Sequence, residues 1–248
     1  MTLNGRIQSA FSAMFLLTAI FVLSIGSGQT AERDAYELEP RPGSIMNVLF
    51  TAPDNPTAVV IFMSGGSGVL DVYSREGRGL GHRTVDLFLD AGLAVAMPDA
   101  PLDQGKWSFG SGPRGMHPDY RTSKEHAADV DSIVTWMKKK KLPVWLAGIS
   151  AGPHSVVGYA TRHGKRLDGI ILMSPLTASP RKGSRGVMNF ALHRITVPAL
   201  VVAHEKDGCW MTKPSGSREV HRALTGSSNA KFEILSGGSS GPGGVCHA

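Results

Sequence analysis

Gly148-Ile149-Ser150-Ala151-Gly152 fits the pattern G-x-S-x-G. A serine hydroxyl is a weak nucleophile until a base takes its proton, and a sharp strand-to-helix turn would push it out of a sheet toward both base and substrate. Glycines on either side permit so crowded a turn. The competing reading, an ordinary glycine-rich loop, is disfavoured by the apolar run Leu142 to Ala147 that enters the motif and the helix-compatible segment that leaves it. Attack on a carbonyl also needs a place for the negative charge that develops on its oxygen. Ser64-Gly65-Gly66-Ser67-Gly68 follows a strong apolar run, and the amides of Gly65 and Gly66, with that of Ala151, are the candidate oxyanion hole; each such donor is typically worth about 3 kcal/mol in the transition state. A phosphate cradle is the other use of such glycines, but no Gly-Lys-Ser/Thr follows, and Gly77-x-Gly79-x-Gly81 does not sit directly after a strand.

A hydrolytic serine further requires a base and an acid to orient it. The run Pro198 to His204 leads into Glu205-Lys206-Asp207. Asp207 is the better-placed carboxylate and Glu205 the alternate, against the bland reading of a surface turn. The chain order Ser, Asp, His then demands a histidine beyond the last strand, and His247 is the one there. His204 is a weaker alternate base, and His154, four residues after Ser150, belongs to the following helix. His82, His117, His126, His163, His193 and His221 fit no spacing for metal or catalysis and are assigned to surface or core.

The elements that must position these groups alternate. Strands are expected at Thr57 to Met63, Gly92 to Met97, Leu142 to Ala147, Leu167 to Met173, Pro198 to Ala203 and Lys231 to Leu235. Ser123 to Lys140 sets Ala127, Val130, Val134 and Met137 at helical spacing. This is an α/β pattern, with a mostly parallel sheet covered by helices on both faces. Residues 32–47 read as a polar, proline-bearing approach, and Ser236 to Gly244 as a flexible loop. Trp107, Phe109 and Trp210 are either pocket-lining or core.

Composition bounds the answer. With 248 residues, 42% hydrophobic and 19% charged, the chain suits one large or two small globular domains. That balance excludes collagen, a coiled coil and a bundle of membrane spans. Residues 10–25 form an apolar run behind Arg6 and ahead of small residues, the pattern of a secretory signal peptide over 1–28 with cleavage near 28–31. The run is short of the ~20 residues that span a bilayer comfortably, so an uncleaved membrane anchor is the alternative to export. The exported domain would then be 32–248. The formal charge of +6 falls to +5 without Arg6, and it is local: Arg162 to Arg194 holds seven basic residues against Asp168. A solvated basic insertion at about 174–194, or contact with an anionic surface, is expected; no recognition motif points to nucleic acid.

The glycines at 65 and 66, the GISAG elbow and the AHEKDGC loop together resemble the α/β-hydrolase superfamily, in particular its small exported members of the dienelactone-hydrolase and serine-peptidase-like kind, over roughly positions 57–247. The resemblance implies an α/β-hydrolase fold and an exported serine hydrolase that acts on a small acyl substrate, a carboxylic ester more than a thioester or amide. It implies a Ser150–His247–Asp207 triad and no metal or organic cofactor. It also implies a disulfide between Cys209 and Cys246, joining the acid and base loops, in place of two unpaired thiols; closing such a loop would contribute on the order of 3–4 kcal/mol. Relatives usually continue past the histidine into a final helix, whereas this sequence stops at Ala248. The alternative expectation is therefore a non-catalytic binding protein on a hydrolase fold that lacks the C-terminal helix, its base lost by truncation.

Overall fold

The structure, a computed structural model, describes residues 33–70, 72, 80–108, 114–179 and 184–237. The chain divides into two units, residues 1–30 and 31–248. The signal-peptide and anchor expectations concern the first, which lies outside the described residues.

The stretch expected to be a polar approach is instead a hairpin. Asp34–Arg41 (β1) pairs antiparallel with Ser44–Thr51 (β2). The turn is Pro42-Gly43, with Gly43 at φ 73°, the proline-then-glycine order that a tight turn with a left-handed third residue requires. Ala58–Met63 (β3), Leu80–Asp90 (α1) and Leu93–Pro98 (β4) follow, then a two-stranded ribbon of Trp107–Ser108 (β5) and Arg114–Gly115 (β6). Lys124–Lys138 (α2), Val144–Ile149 (β7), Gly152–His163 (α3), Gly169–Met173 (β8), Ala199–His204 (β9), Pro214–Ala223 (α4) and Ala230–Leu235 (β10) complete the described strands and α-helices. Among the described residues the main sheet has eight strands in the order β1-β2-β4-β3-β7-β8-β9-β10. From β4 through β10 every pairing is parallel, and β2 joins this block antiparallel through β4.

The central parallel strands read as unbroken apolar runs because both faces are covered. In β3, Val59, Ile61 and Met63 enter the larger core beneath α2, α3 and α4, while Val60 and Phe62 enter the smaller one that holds Val85 of α1. Helix α2 is built as its periodicity predicts: Ala127, Val130, Val134 and Met137 are all buried, and the Ser123 hydroxyl accepts the His126 amide at its N-terminus. On the α1 face, Trp145, Ile149, Ile171, Met173, Leu200 and Val202 are only half-buried. The expectation that the fold lacks a final helix falls on residues outside the described ones. Residues 184–194 are anchored to the core by Val187 and Leu192. Among the described residues no helix is long and apolar enough to cross a membrane.

Candidate active site

Strand order gathers the chemistry at one edge. Ser150 follows β7, Ser64–Gly68 follows the adjacent β3, and Asp207 follows β9, two strands away on the other side of β7. At the usual strand spacing the strands that precede Ser150 and Asp207 lie about 10 Å apart, a gap suited to an imidazole and its hydrogen bonds.

Ser150 sits at φ 61° between β7 and α3, a left-handed conformation that costs a non-glycine residue on the order of 1–3 kcal/mol. The strain is held by the sheet. The Ser150 amide donates to the Met173 carbonyl at 3.0 Å, and its own carbonyl accepts the Leu176 amide at 3.2 Å. The flanking glycines are required by space: a Cβ on Gly148 would lie 2.6 Å from the Gly152 carbonyl carbon, and one on Gly152 only 2.1 Å from the Met63 oxygen. The turn is thereby pressed against the end of β3. Gly65 completes the contact, since a Cβ there would meet Ser150 Cβ at 3.0 Å and its Oγ at 3.5 Å. None of the Gly65, Gly66 and Ala151 amides donates to a main-chain carbonyl among the described residues. Of the three expected oxyanion donors, Gly65 thus stands beside the serine and Ala151 directly after it, with Gly66 next to Gly65 along the chain.

Asp207 is half-buried and held by its own loop. Its Oδ1 accepts the Cys209 amide at 3.1 Å, and its Oδ2 accepts the Thr212 hydroxyl at 2.9 Å. Cys209 and Thr212 are both buried. That loop is stitched toward the elbow: the Thr177 amide donates to the Met211 carbonyl at 2.8 Å, and the Ser174 amide donates to the Val202 carbonyl at 2.8 Å. Glu205, the alternate acid, is exposed, its amide donating to the Leu235 carbonyl. His204 uses both ring nitrogens locally, Nδ1 accepting the Lys206 amide and Nε2 lying 3.1 Å from the Gly237 carbonyl. His247 and Cys246 lie outside the described residues, as do Phe109 and the side chain of Trp107. Trp210, beside the acid loop, is 51% exposed.

No family model matches the chain, and no curated protein matches it. Solved structures do. A monoglyceride lipase from Saccharomyces cerevisiae superposes with TM-score 0.63 at 14% identity over 84% of this chain and 87% of that one. A cold-adapted esterase from an Arctic intertidal metagenomic library gives 0.59 at 15%, over 84% and 88%. A dienelactone hydrolase from Anabaena variabilis gives 0.57 at 13%, over 85% and 88%. The chain has the α/β-hydrolase fold.

Within this α/β-hydrolase fold, residues that carry no sequence signal underpin the candidate oxyanion loop. Arg121, 2% exposed, donates from Nη2 to the carbonyls of Ser64 at 3.0 Å, Gly65 at 3.4 Å and Gly66 at 3.1 Å. Its Nη1 donates to Ser155 Oγ at 3.0 Å, which also lies 2.8 Å from His126 Nε2. Burial lowers the Arg121 pKa to about 10, still a cation at neutral pH. Burial also lowers that of His126, and the nearby Arg121 charge adds to the effect, while Asp129 opposes it. Asp129 is fully buried; it accepts Arg41 Nε at 2.6 Å and the Tyr120 hydroxyl. His154, at the start of α3, has a buried Nδ1 without a partner among the described groups. Its pKa is pushed down to about 4 by burial and by Arg121. Among the described residues no three His, Cys, Asp or Glu side chains converge to hold a metal ion.

Proposed function

We propose that this α/β-hydrolase fold is a serine hydrolase acting on carboxylic esters. Ser150 Oγ attacks the acyl carbonyl carbon while His247 takes its proton, and the carbonyl π electrons pass to the oxygen, which the amides of Gly65, Gly66 and Ala151 receive. Collapse of that tetrahedral adduct breaks the ester C–O bond, with His247 returning the proton to the departing alcohol. Water, deprotonated by His247, then releases the acid from the acyl-enzyme by the same steps. Asp207 holds the imidazole in the required tautomer. The observation that carries the reading is the elbow: Ser150 at φ 61°, walled by two glycines with no room for a Cβ and facing Gly65. The names of structural neighbours such as an esterase, a lipase and a dienelactone hydrolase favour an ester over a peptide bond, although an acylaminoacyl peptidase of Pyrococcus horikoshii is also among them.

The same reading includes export with removal of 1–28 and a Cys209–Cys246 disulfide that draws the His247 segment onto the acid loop. Contact with an anionic surface would fall to part of the 162–194 stretch only, because Arg166 already pairs with Asp131 and Arg185 with Glu219. The test is fluorophosphonate labelling of the purified chain read by mass spectrometry, with Ser150→Ala and His247→Ala, under oxidising and reducing conditions. Labelling confined to Ser150, dependent on His247 and weakened by reduction is expected. A folded chain that is never labelled would instead be a binding protein without a working base.

A further inference from the structure

Arg121 lies in the short turn Tyr120–Thr122 ahead of α2, a usual place for an exposed arginine, yet it is 2% exposed. Taking a guanidinium out of water is costly unless a carboxylate or a full set of acceptors receives it. Among the described residues its acceptors are all formally neutral: the Ser155 hydroxyl and three consecutive main-chain carbonyls. Its Nε has no partner there. The buried carboxylate of this network, Asp129, lies beyond His126, 3.7 Å from its Nδ1, and is paired with Arg41. Among the described residues the guanidinium is therefore received directly by dipoles, with no carboxylate bonded to it.

Those dipoles have a direction. A peptide plane sets the carbonyl of one residue and the amide of the next on opposite sides. Drawing the carbonyls of Ser64, Gly65 and Gly66 onto Arg121 turns the amides of Gly65, Gly66 and Ser67 the other way. Gly65 stands against Ser150 Oγ, and the Gly65 and Gly66 amides make no main-chain hydrogen bond among the described residues. The loop closes around the guanidinium through the Gly68 amide, which donates to the Gly65 carbonyl at 3.0 Å. A Cβ on Gly68 would lie 3.0 Å from Arg121 Nη2.

We propose that Arg121 is a positioning residue for the oxyanion loop. It clamps the Ser64–Gly66 peptides so that their amides face the attacked oxygen, and it sets a positive charge behind them that favours the tetrahedral oxyanion. The inference rests on the serine-hydrolase reading. Arg121 acts through the loop, so its removal should leave ground-state binding alone and weaken what forms only in the transition state.

The test compares the full-length wild type with Arg121→Met and Arg121→Lys. Folding is checked by circular dichroism and thermal melting, turnover by p-nitrophenyl butyrate kinetics, and transition-state affinity by inhibition with butylboronic acid, which adds to a serine as a tetrahedral anion. In Arg121→Met, kcat should fall about 100-fold, boronate affinity should fall in parallel, and KM should stay within about threefold. Arg121→Lys, which keeps the charge but not the three-carbonyl reach, should fall between. A folded Arg121→Met with kcat within about threefold of wild type overturns the proposal, as does a fall in kcat without loss of boronate affinity. If Arg121→Met does not fold, Arg121→Lys is judged by the same two ratios. A wild type that neither turns over the ester nor labels with fluorophosphonate overturns the hydrolase reading and this inference with it.

Discussion

Replacing Gly152 by alanine should damage both stability and reactivity, whereas the same change at Gly164, one residue beyond the end of α3, should do neither. Neither glycine has a positive φ, so backbone conformation favours alanine at both. The difference is space. At Gly152 the new methyl would lie 2.1 Å from the Met63 oxygen and 3.0 Å from its carbonyl carbon, while at Gly164 nothing lies within 4 Å. Relief at Gly152 requires the elbow and the end of β3 to part by about 1 Å, and over-packing of this kind costs typically 1–3 kcal/mol. For a domain of this size that lowers Tm by about 2–12 °C. The elbow carries Ser150 and the end of β3 carries the Gly65–Gly66 loop, so a shift of about 1 Å should slow acylation on the order of 100-fold. Gly164→Ala should instead stabilise by about 0.4–1 kcal/mol through the unfolded chain. Thermal melting by circular dichroism and the rate of fluorophosphonate labelling measure both. A Gly152→Ala protein with wild-type Tm and labelling rate would refute the claim that elbow and β3 are in hard contact.

Thr212→Val keeps the shape of a fully buried side chain but removes its hydrogen bond to Asp207 Oδ2; kcat should fall about tenfold at constant KM, as expected for loss of a hydrogen bond to a charged acceptor. Tyr120→Phe removes a hydroxyl that donates to buried Asp129 and accepts from Arg41 Nη2 at 2.7 Å. Urea unfolding should show a loss of about 1–3 kcal/mol. Stability should also fall on acidification. His154 has its pKa depressed from 6.5 to about 4 by burial, so between those values the unfolded chain binds the extra proton. The stability contributed by the neutral ring is full above pH 6.5 and is lost as pH falls toward 4, in all about 3 kcal/mol. His154→Phe, which keeps an aromatic ring against Phe190, should flatten that part of the pH profile in urea titrations at pH 7 and pH 4.5; an unchanged slope would exclude His154 as its source.

Much of this protein is legible from local physics. Strands buried on both faces must be continuous apolar runs, so β3, β4, β7, β8 and β9 stand out along the chain, and α2 shows the spacing of its buried side. The elbow is also legible, because a strand entering G-x-S-x-G and a helix leaving it are neighbours in sequence. The hairpin β1–β2 is harder to see although Pro42-Gly43 marks its turn, since β1 is an edge strand whose exposed side carries Glu37 and Glu39 and dilutes the alternation. The candidate site divides in the same way. Ser150, Gly65, Gly66 and Asp207 each follow a recognisable strand, and only the strand order sets those strands side by side. Arg121, Ser155 and His126 follow no strand end and match no motif. Arg121 meets the Ser64–Gly66 loop, with Ser155 and His126 behind it, because α2 and α3 pack on one face of the sheet and bring together segments 29 and more residues apart. Short segments become strands, helices and tight turns through their neighbours along the chain, which is why the order of amino acids suffices to mark them. Which charge lies buried behind which amides depends on tertiary packing, because desolvation and hydrogen-bond partners exist only once distant segments share a core.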